Sequence, residues 1–185
     1  MNQVKQEIAS IAARLIIEDG SSYSVAKSKA QELVFNQNSL KTNKKNLPNN
    51  KELEAAIKKH SMLFYKKEYT QRLTELRKKA KDLMKLLEVF KPLLIGSVAN
   101  ETVTKYSDIR ICCFTESTKE IAIELLNRGI NTNSNFLKHP IGKGFVEALT
   151  FIWNDESIII FALIHLESKI KLRGLNLKDL EKLIT

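Results

Sequence analysis

Two short apolar runs near the middle of the chain constrain the fold more than any other feature. The first run, Leu94-Ile95, ends in Gly96-Ser97, and the second follows Ser107-Asp108 and extends to Phe114. Ten residues, 98–107, separate Ser97 from Asp108. Short apolar runs bounded by such residues predict two β-strands, and a turn of small residues lets the backbone approach a ligand.

This order of residues resembles the signature of the nucleotidyltransferase superfamily, which includes polymerase beta and the minimal nucleotidyltransferases. In that family the Gly-Ser turn holds nucleotide phosphates, and paired carboxylates hold divalent metal ions. The resemblance implies that Gly96 and Ser97 bind the nucleotide and that Asp108 binds Mg²⁺ together with a nucleoside triphosphate. Glu147 lies in a later predicted strand and is the candidate for the family's third carboxylate, which would make it catalytic together with Asp108.

Arg110 departs from the family pattern at the position of the second carboxylate. Two-metal phosphoryl transfer needs clustered carboxylates, because hard oxygen ligands must neutralise two divalent ions. A guanidinium offers no lone pair to a metal and adds positive charge. Arginine is, however, well suited to bidentate contact with phosphate. The sequence therefore favours a degenerate metal site in which Arg110 contacts the nucleotide.

A wider resemblance covers nearly the whole chain. The matching features are Ala12–Leu15, Lys27–Ala30, Leu47-Pro48, a basic helix and Ser107–Arg110, in that order. Together they resemble a proteobacterial family of uncharacterised nucleotidyltransferase-like proteins, whose members carry arginine at the position of Arg110. This resemblance implies that the arginine belongs to the design of the family, and it supplies no known reaction.

The positive charge of the protein is concentrated in its first half. The net charge is +9, and residues 1–92 carry all of the excess, with 19 Lys/Arg against 10 Asp/Glu. Such asymmetry suggests a nucleic-acid or acidic-protein partner, although a solvated lysine-rich helix surface explains it equally well. The densest group of basic residues lies on a predicted helix whose leucines recur at helical spacing between Leu73 and Leu87. Its candidate partner-binding residues are Arg77, Lys78, Lys81 and Lys85.

The remaining pattern predicts an α+β protein, with a helical N-terminal half packed on a small mixed sheet of nucleotidyltransferase type. Residues 1–48 read as a helical hairpin with a basic linker, and residues 49–185 as the nucleotidyltransferase-like domain. Helical spacing precedes Gly20 and Gly129, which are placed to end helices. Strands are predicted at Phe145–Trp153 and Ser157–His165, and a polar loop at residues 131–144.

Composition limits the location and the chemistry of the chain. No apolar run approaches the length of a membrane span, and the N-terminus lacks the apolar core of a signal peptide, so a cytoplasmic location is expected. Cys112 and Cys113 are adjacent within a predicted strand and point to opposite faces, which makes them poor disulfide partners. The oligomeric state is left open by the sequence.

Three functions are consistent with these features. The first is a nucleotidyltransferase-like protein that binds nucleotide or nucleic acid with weak or no transferase activity, and it is the one the chemistry at Arg110 favours. The second is an active metal-dependent nucleotidyltransferase acting on a protein, RNA or small-molecule acceptor. The third is a non-enzymatic scaffold that binds an acidic protein through the basic helix.

Overall fold

The computed structural model describes residues 3–38, 47–164 and 172–184. Within these residues the chain is an α+β protein with seven α-helices and one mixed sheet of six strands. The helices are α1 (Gln3–Asp19), α2 (Tyr23–Asn38), α3 (Asn50–Phe64), α4 (Lys66–Leu86), α5 (Gly96–Asn100), α6 (Thr118–Leu126) and α7 (Leu177–Ile184). The strands are β1 (Leu93–Ile95), β2 (Ile109–Phe114), β3 (Asn133–Lys138), β4 (Phe145–Trp153), β5 (Glu156–Leu163) and β6 (Leu175–Asn176).

The strand order of the sheet is β3-β4-β5-β2-β1-β6. Strands β2 and β5 run parallel, and every other neighbouring pair is antiparallel. A two-residue turn with positive φ at Asn154 and Asp155 joins β4 to β5, and this is the geometry of a type I′ hairpin. Side chains alternate between two faces, named here the Arg110 face and the Glu147 face after one residue on each.

The chain divides into two compact units, and the division differs from the predicted boundary at residues 48 and 49. The first unit contains the described residues up to Arg72 together with Glu101–Tyr106, and the second contains Leu73–Asn100 and the described residues from Ser107 onward. The predicted boundary fails because α3 does not belong with the sheet. Its Leu53 and Ile57 are fully buried in one core with α1 and α2.

The first unit is a helical core completed by a segment from much later in the chain. Within Glu101–Tyr106, Thr102 and Val103 are buried. The Tyr106 hydroxyl donates to the carbonyl oxygen of Glu18 at 3.0 Å, and the Tyr69 hydroxyl donates to that of Glu101 at 2.9 Å. These contacts attach the segment to the end of α1 and to the first turns of α4, the part of that helix that belongs to the first unit.

Helix ends in the first unit follow the expected sequence signals. Gly20 has φ +69° directly after α1, where only glycine adopts a left-handed conformation without strain. Asn49 caps α3 through its side-chain oxygen, which accepts from the Glu52 N–H at 2.9 Å, while the Glu52 carboxylate accepts from the Asn49 N–H at 2.7 Å. This reciprocal arrangement is a capping box, with Asn49 as the cap of the helix. The pKa of Glu52 is lowered by its hydrogen bond with Lys5 and by the Asn49 N–H.

The second unit is built on the sheet. Cys112 and Cys113 are free and fully buried in β2, which confirms that they are core residues. Burial raises the pKa of the Cys112 thiol to about 12, so it stays protonated and unreactive at neutral pH. Gly129, with φ +76°, follows the end of α6 as expected, and Ser117 caps the start of that helix through its side chain.

Three elements were not predicted. Strand β3 occupies a stretch expected to be an irregular loop, and five of its six side chains are exposed, so no apolar alternation marks it. Strand β6 is only two residues long, and α5, which begins at Gly96, stands where a simple turn was expected. The predicted basic linker falls largely on residues 39–46, and His165 ends a predicted strand. Both lie outside the described residues.

Candidate functional site

Strands β1 and β2 bring the motif residues together. Ile95 pairs with Arg110 across the antiparallel ladder, so Gly96 and Ser97 begin α5 beside the arginine side chain. Gly96 has φ +73°, and a Cβ built on it would lie 3.4 Å from Cδ of Arg110. Glycine is therefore favoured here by both its backbone conformation and the close approach of the arginine.

The arginine is paired with the neighbouring motif carboxylate. Nη2 of Arg110 lies 3.1 Å from Oδ2 of Asp108, and the two side chains are 49% and 26% exposed. An ion pair this exposed stabilises a protein by only about 0–1 kcal/mol. A ligand phosphate could therefore replace Asp108 at the guanidinium at little cost. Gly96, Ser97, Asp108 and Arg110 are together called the β1–β2 site.

Glu147 does not belong to the β1–β2 site, which corrects the prediction that it acts with Asp108. The strand registers place Glu147 beside Ala162 and, one strand further, Cys113. That row crosses β2 five residues beyond Asp108, a separation of about 16 Å along the strand. Cys113 is also three residues from Arg110, so Glu147 lies on the opposite face of the sheet.

No other acid takes the place of Glu147 on the strand next to β2. Ile159 of β5 pairs with Arg110, and the preceding residue on the same face is Ser157. Among the described residues there is no group of three or more His, Cys, Asp or Glu side chains that could hold a metal ion. The β1–β2 site thus combines one carboxylate, one guanidinium and one hydroxyl, a set better suited to binding an anion than to holding two cations.

Glu147 instead accepts hydrogen bonds from two hydroxyl groups that the sequence did not single out. Thr118 Oγ1 donates to its Oε2 at 2.7 Å, and Ser134 Oγ donates to its Oε1 at 2.5 Å. These bonds, that from Ser134 first, hold the pKa of Glu147 below the ordinary value of 4.5. The cluster links β3, β4 and the first turn of α6, and Thr118 is buried. Its evident role is to fasten these elements together.

We predict that Glu147→Gln weakens the fold at neutral pH and not in acid. A carboxyl whose folded pKa is depressed stabilises the native state above its unfolded pKa, and the effect disappears as pH falls through the folded pKa. The variant should therefore lose about 1 kcal/mol of unfolding free energy at pH 7, and the difference from wild type should vanish well below pH 4.5. Urea denaturation across this range measures it. Glu116→Gln, at an exposed position, should cost less than about 0.5 kcal/mol at any pH.

The basic residues of α4 do not form one exposed face. Arg77 is buried, with 6% of its surface exposed, which corrects its assignment to a partner-binding surface. Lys81 is half-buried, and Lys85 lies 3.3 Å from a carboxylate oxygen of Glu181. Lys78 is exposed. The predicted basic surface is therefore smaller and more neutralised than the sequence suggests.

Comparison with known proteins gave no match to any family model, curated protein or solved structure. None of the helices in the described ranges is long and apolar enough to cross a membrane. Function is therefore inferred from the residues of the β1–β2 site.

Proposed function

We propose that this protein binds the phosphate groups of a nucleotide at the β1–β2 site, without the two-metal chemistry of an active nucleotidyltransferase. The observation that carries the proposal is the position of Arg110. Its side chain packs against Gly96 at the start of α5 and extends to Asp108 on the same face. In the family that the sequence resembles, a metal-binding carboxylate stands in this place. A guanidinium would itself supply the positive charge that a metal ion otherwise provides.

The site chemistry supports binding more than catalysis. Asp108 is the carboxylate of the motif, and it is already engaged by an arginine. A divalent ion placed there would be repelled by the guanidinium and would have Asp108 as its one carboxylate ligand within the site. A phosphate group, in contrast, could accept hydrogen bonds from two N–H groups of the Arg110 guanidinium and from the Ser97 hydroxyl. Transferase activity on this basis is weak or absent.

The basic helix adds less support for a nucleic-acid or acidic-protein partner. Of its four candidate residues, one is buried, one is half-buried and one is ion-paired. Charge reversal of the adjacent Lys79 would test stability rather than binding, because Lys79 pairs with the buried Glu156. The proposal therefore centres on the β1–β2 site and on nucleotide.

Isothermal titration of ATP, GTP, CTP and UTP, with and without Mg²⁺ or Mn²⁺, tests this function. We expect at least one nucleotide to bind with an affinity that does not depend on the metal. Arg110→Ala should weaken binding by about 10- to 100-fold, since a charge-assisted hydrogen bond contributes about 1.5–3 kcal/mol. Asp108→Asn should leave binding intact or strengthen it, because it removes the carboxylate that competes for the guanidinium.

A matched control comes from a second exposed arginine in the same unit. Arg128 lies 2.5 Å from a carboxylate oxygen of Glu124 and is 43% exposed, close to the exposure of Arg110. Arg128→Ala should leave nucleotide binding unchanged. Binding that requires Mg²⁺ and is lost in Asp108→Asn would instead establish an active-type metal site. No binding of any of the four nucleotides would refute the proposal.

A further inference from the structure

Strand β3 is the outer strand of the sheet, and most of its side chains are exposed. It pairs with β4 on one side, and no other strand of the described chain pairs with it. All of its side chains except Leu137 are exposed. Phe136, near its middle, is 74% exposed. A solvent-exposed edge strand of six residues offers a row of backbone groups to another strand.

The ladder between β3 and β4 defines which backbone groups face outward. The His139 N–H donates to the Gly144 carbonyl oxygen at 3.0 Å, in the same register as the strand pairs. Hydrogen-bonded and non-hydrogen-bonded pairs alternate in an antiparallel ladder. Counting back from His139, the N–H and C=O groups of Ser134, Phe136 and Lys138 point away from β4, toward the free edge.

The usual features that prevent edge-to-edge pairing are weak in this strand. Proteins protect edges with proline, with central charged residues, with bulges or with very short strands. Strand β3 contains no proline, and Lys138 at its last position is its one charged residue. Phe145 of β4 is 75% exposed on the same face as Phe136, so this side of the sheet carries two exposed aromatic side chains.

We propose that β3 pairs antiparallel with β3 of a second copy of this chain, on a two-fold axis beside Phe136. This register matches Phe136 with Phe136 of the second copy, and Ser134 with Lys138. It uses all three outward-facing residues of each strand, and so forms about six hydrogen bonds between the chains. The two sheets then continue as one, in the isologous arrangement that closes after two copies.

Self-complementarity argues for a second copy rather than an unrelated strand. The two exposed phenylalanines face each other at the axis, where a cross-strand aromatic pair contributes about 0.2–1 kcal/mol. Lys138 of the second copy stands opposite Ser134, whose hydroxyl donates to Glu147 at 2.5 Å. The ammonium group thus meets an ionised carboxylate on the same face. The two-fold axis repeats this charge match at the other end of the strand.

Cysteine cross-linking tests the register. Directly opposed residues of a hydrogen-bonded pair have Cα atoms about 5.5 Å apart, within disulfide range. Phe136→Cys should therefore form a covalent dimer on mild oxidation. Phe145→Cys is the control, because Phe145 has the same exposure and face but lies one strand inward, about 14 Å or more from its counterpart. Both native cysteines are buried and should not cross-link.

Sedimentation velocity over a range of concentrations tests the association without any cross-link. The wild-type chain should sediment as a dimer, whereas Phe136→Lys should sediment as a monomer. Circular dichroism should show that this monomer is folded. Lys138→Glu, an exposed charge reversal, should weaken the dimer at least tenfold by opposing Glu147. Ile152→Lys, at a similarly exposed apolar position on β4, should leave it intact. A wild-type monomer up to the solubility limit, or equal cross-linking of both cysteine variants, would overturn the proposal.

Discussion

Replacing Lys79 with methionine is expected to lower the free energy of unfolding by about 3 kcal/mol. Nζ of Lys79 lies 2.7 Å from a carboxylate oxygen of Glu156 and 2.8 Å from the carbonyl oxygen of Asn154. Glu156 is 6% exposed, so the variant removes a cation that lies directly against a buried carboxylate. Removing one partner of a buried ion pair costs about 3–5 kcal/mol. The lower end applies because the lysine side chain is 30% exposed.

Urea denaturation of three variants isolates this contribution. Lys78→Met changes the adjacent, exposed lysine and should cost less than about 0.5 kcal/mol. The double variant Lys79→Met with Glu156→Gln should recover part of the loss, because the buried group is then neutral. Equal stability of Lys79→Met and Lys78→Met would show that Lys79 does not hold the β4–β5 hairpin.

Gly20→Ala, in the first unit, is expected to lower the free energy of unfolding by about 2–3 kcal/mol. Gly20 has φ +69°, and a left-handed alanine costs about 1 kcal/mol relative to glycine. A Cβ at this position would also lie 2.8 Å from the ring of Tyr106, closer than real side chains approach. The ring or the end of α1 must therefore move, which weakens the hydrogen bond from Tyr106 to Glu18.

Two comparisons separate the cost of the left-handed backbone from the cost of the contact with Tyr106. Each variant is compared by urea denaturation with the protein that lacks only the glycine substitution. Gly129 has φ +76° with no atom within 4 Å of a built Cβ, so Gly129→Ala should cost only about 1 kcal/mol. In a Tyr106→Ala background, the loss of unfolding free energy caused by Gly20→Ala should fall to the same value. A cost that persists in that background would mean that the aromatic ring does not limit the site.

Much of the fold was predictable because periodicity reports burial. Most leucines of α4 and most apolar residues of β1, β2, β4 and β5 are buried, so their spacing predicts their structure. Strand β3 was not predicted because its side chains are exposed on both faces, so its sequence shows no alternation of apolar and polar residues. Arg77 was misassigned because it borders the leucine stripe, where the aliphatic stem of an arginine can be buried with the leucines.

The candidate site was predictable only where sequence neighbours are also neighbours in space. Asp108 stands directly before β2 and Arg110 lies within it, and Gly96 follows the strand paired with β2, so these three residues come together as expected. The predicted place of Glu147 in the site depended on which strand lies next to β2. The structure inserts β5 between β4 and β2, and a register set by distant pairing moves Glu147 to the other face.

The late segment of the helical unit has a consequence for synthesis of the chain. Residues up to Arg72 leave the ribosome first, yet Glu101–Tyr106 of the same unit follow only after β1 and α5 have been made. Its contacts with that segment therefore form late, whereas domains generally fold as units in the order of their synthesis. By then Gly96 and Ser97 have been synthesised, and Asp108 and Arg110 follow shortly after Tyr106. The last contacts of the first unit and the residues of the β1–β2 site therefore become available at nearly the same time.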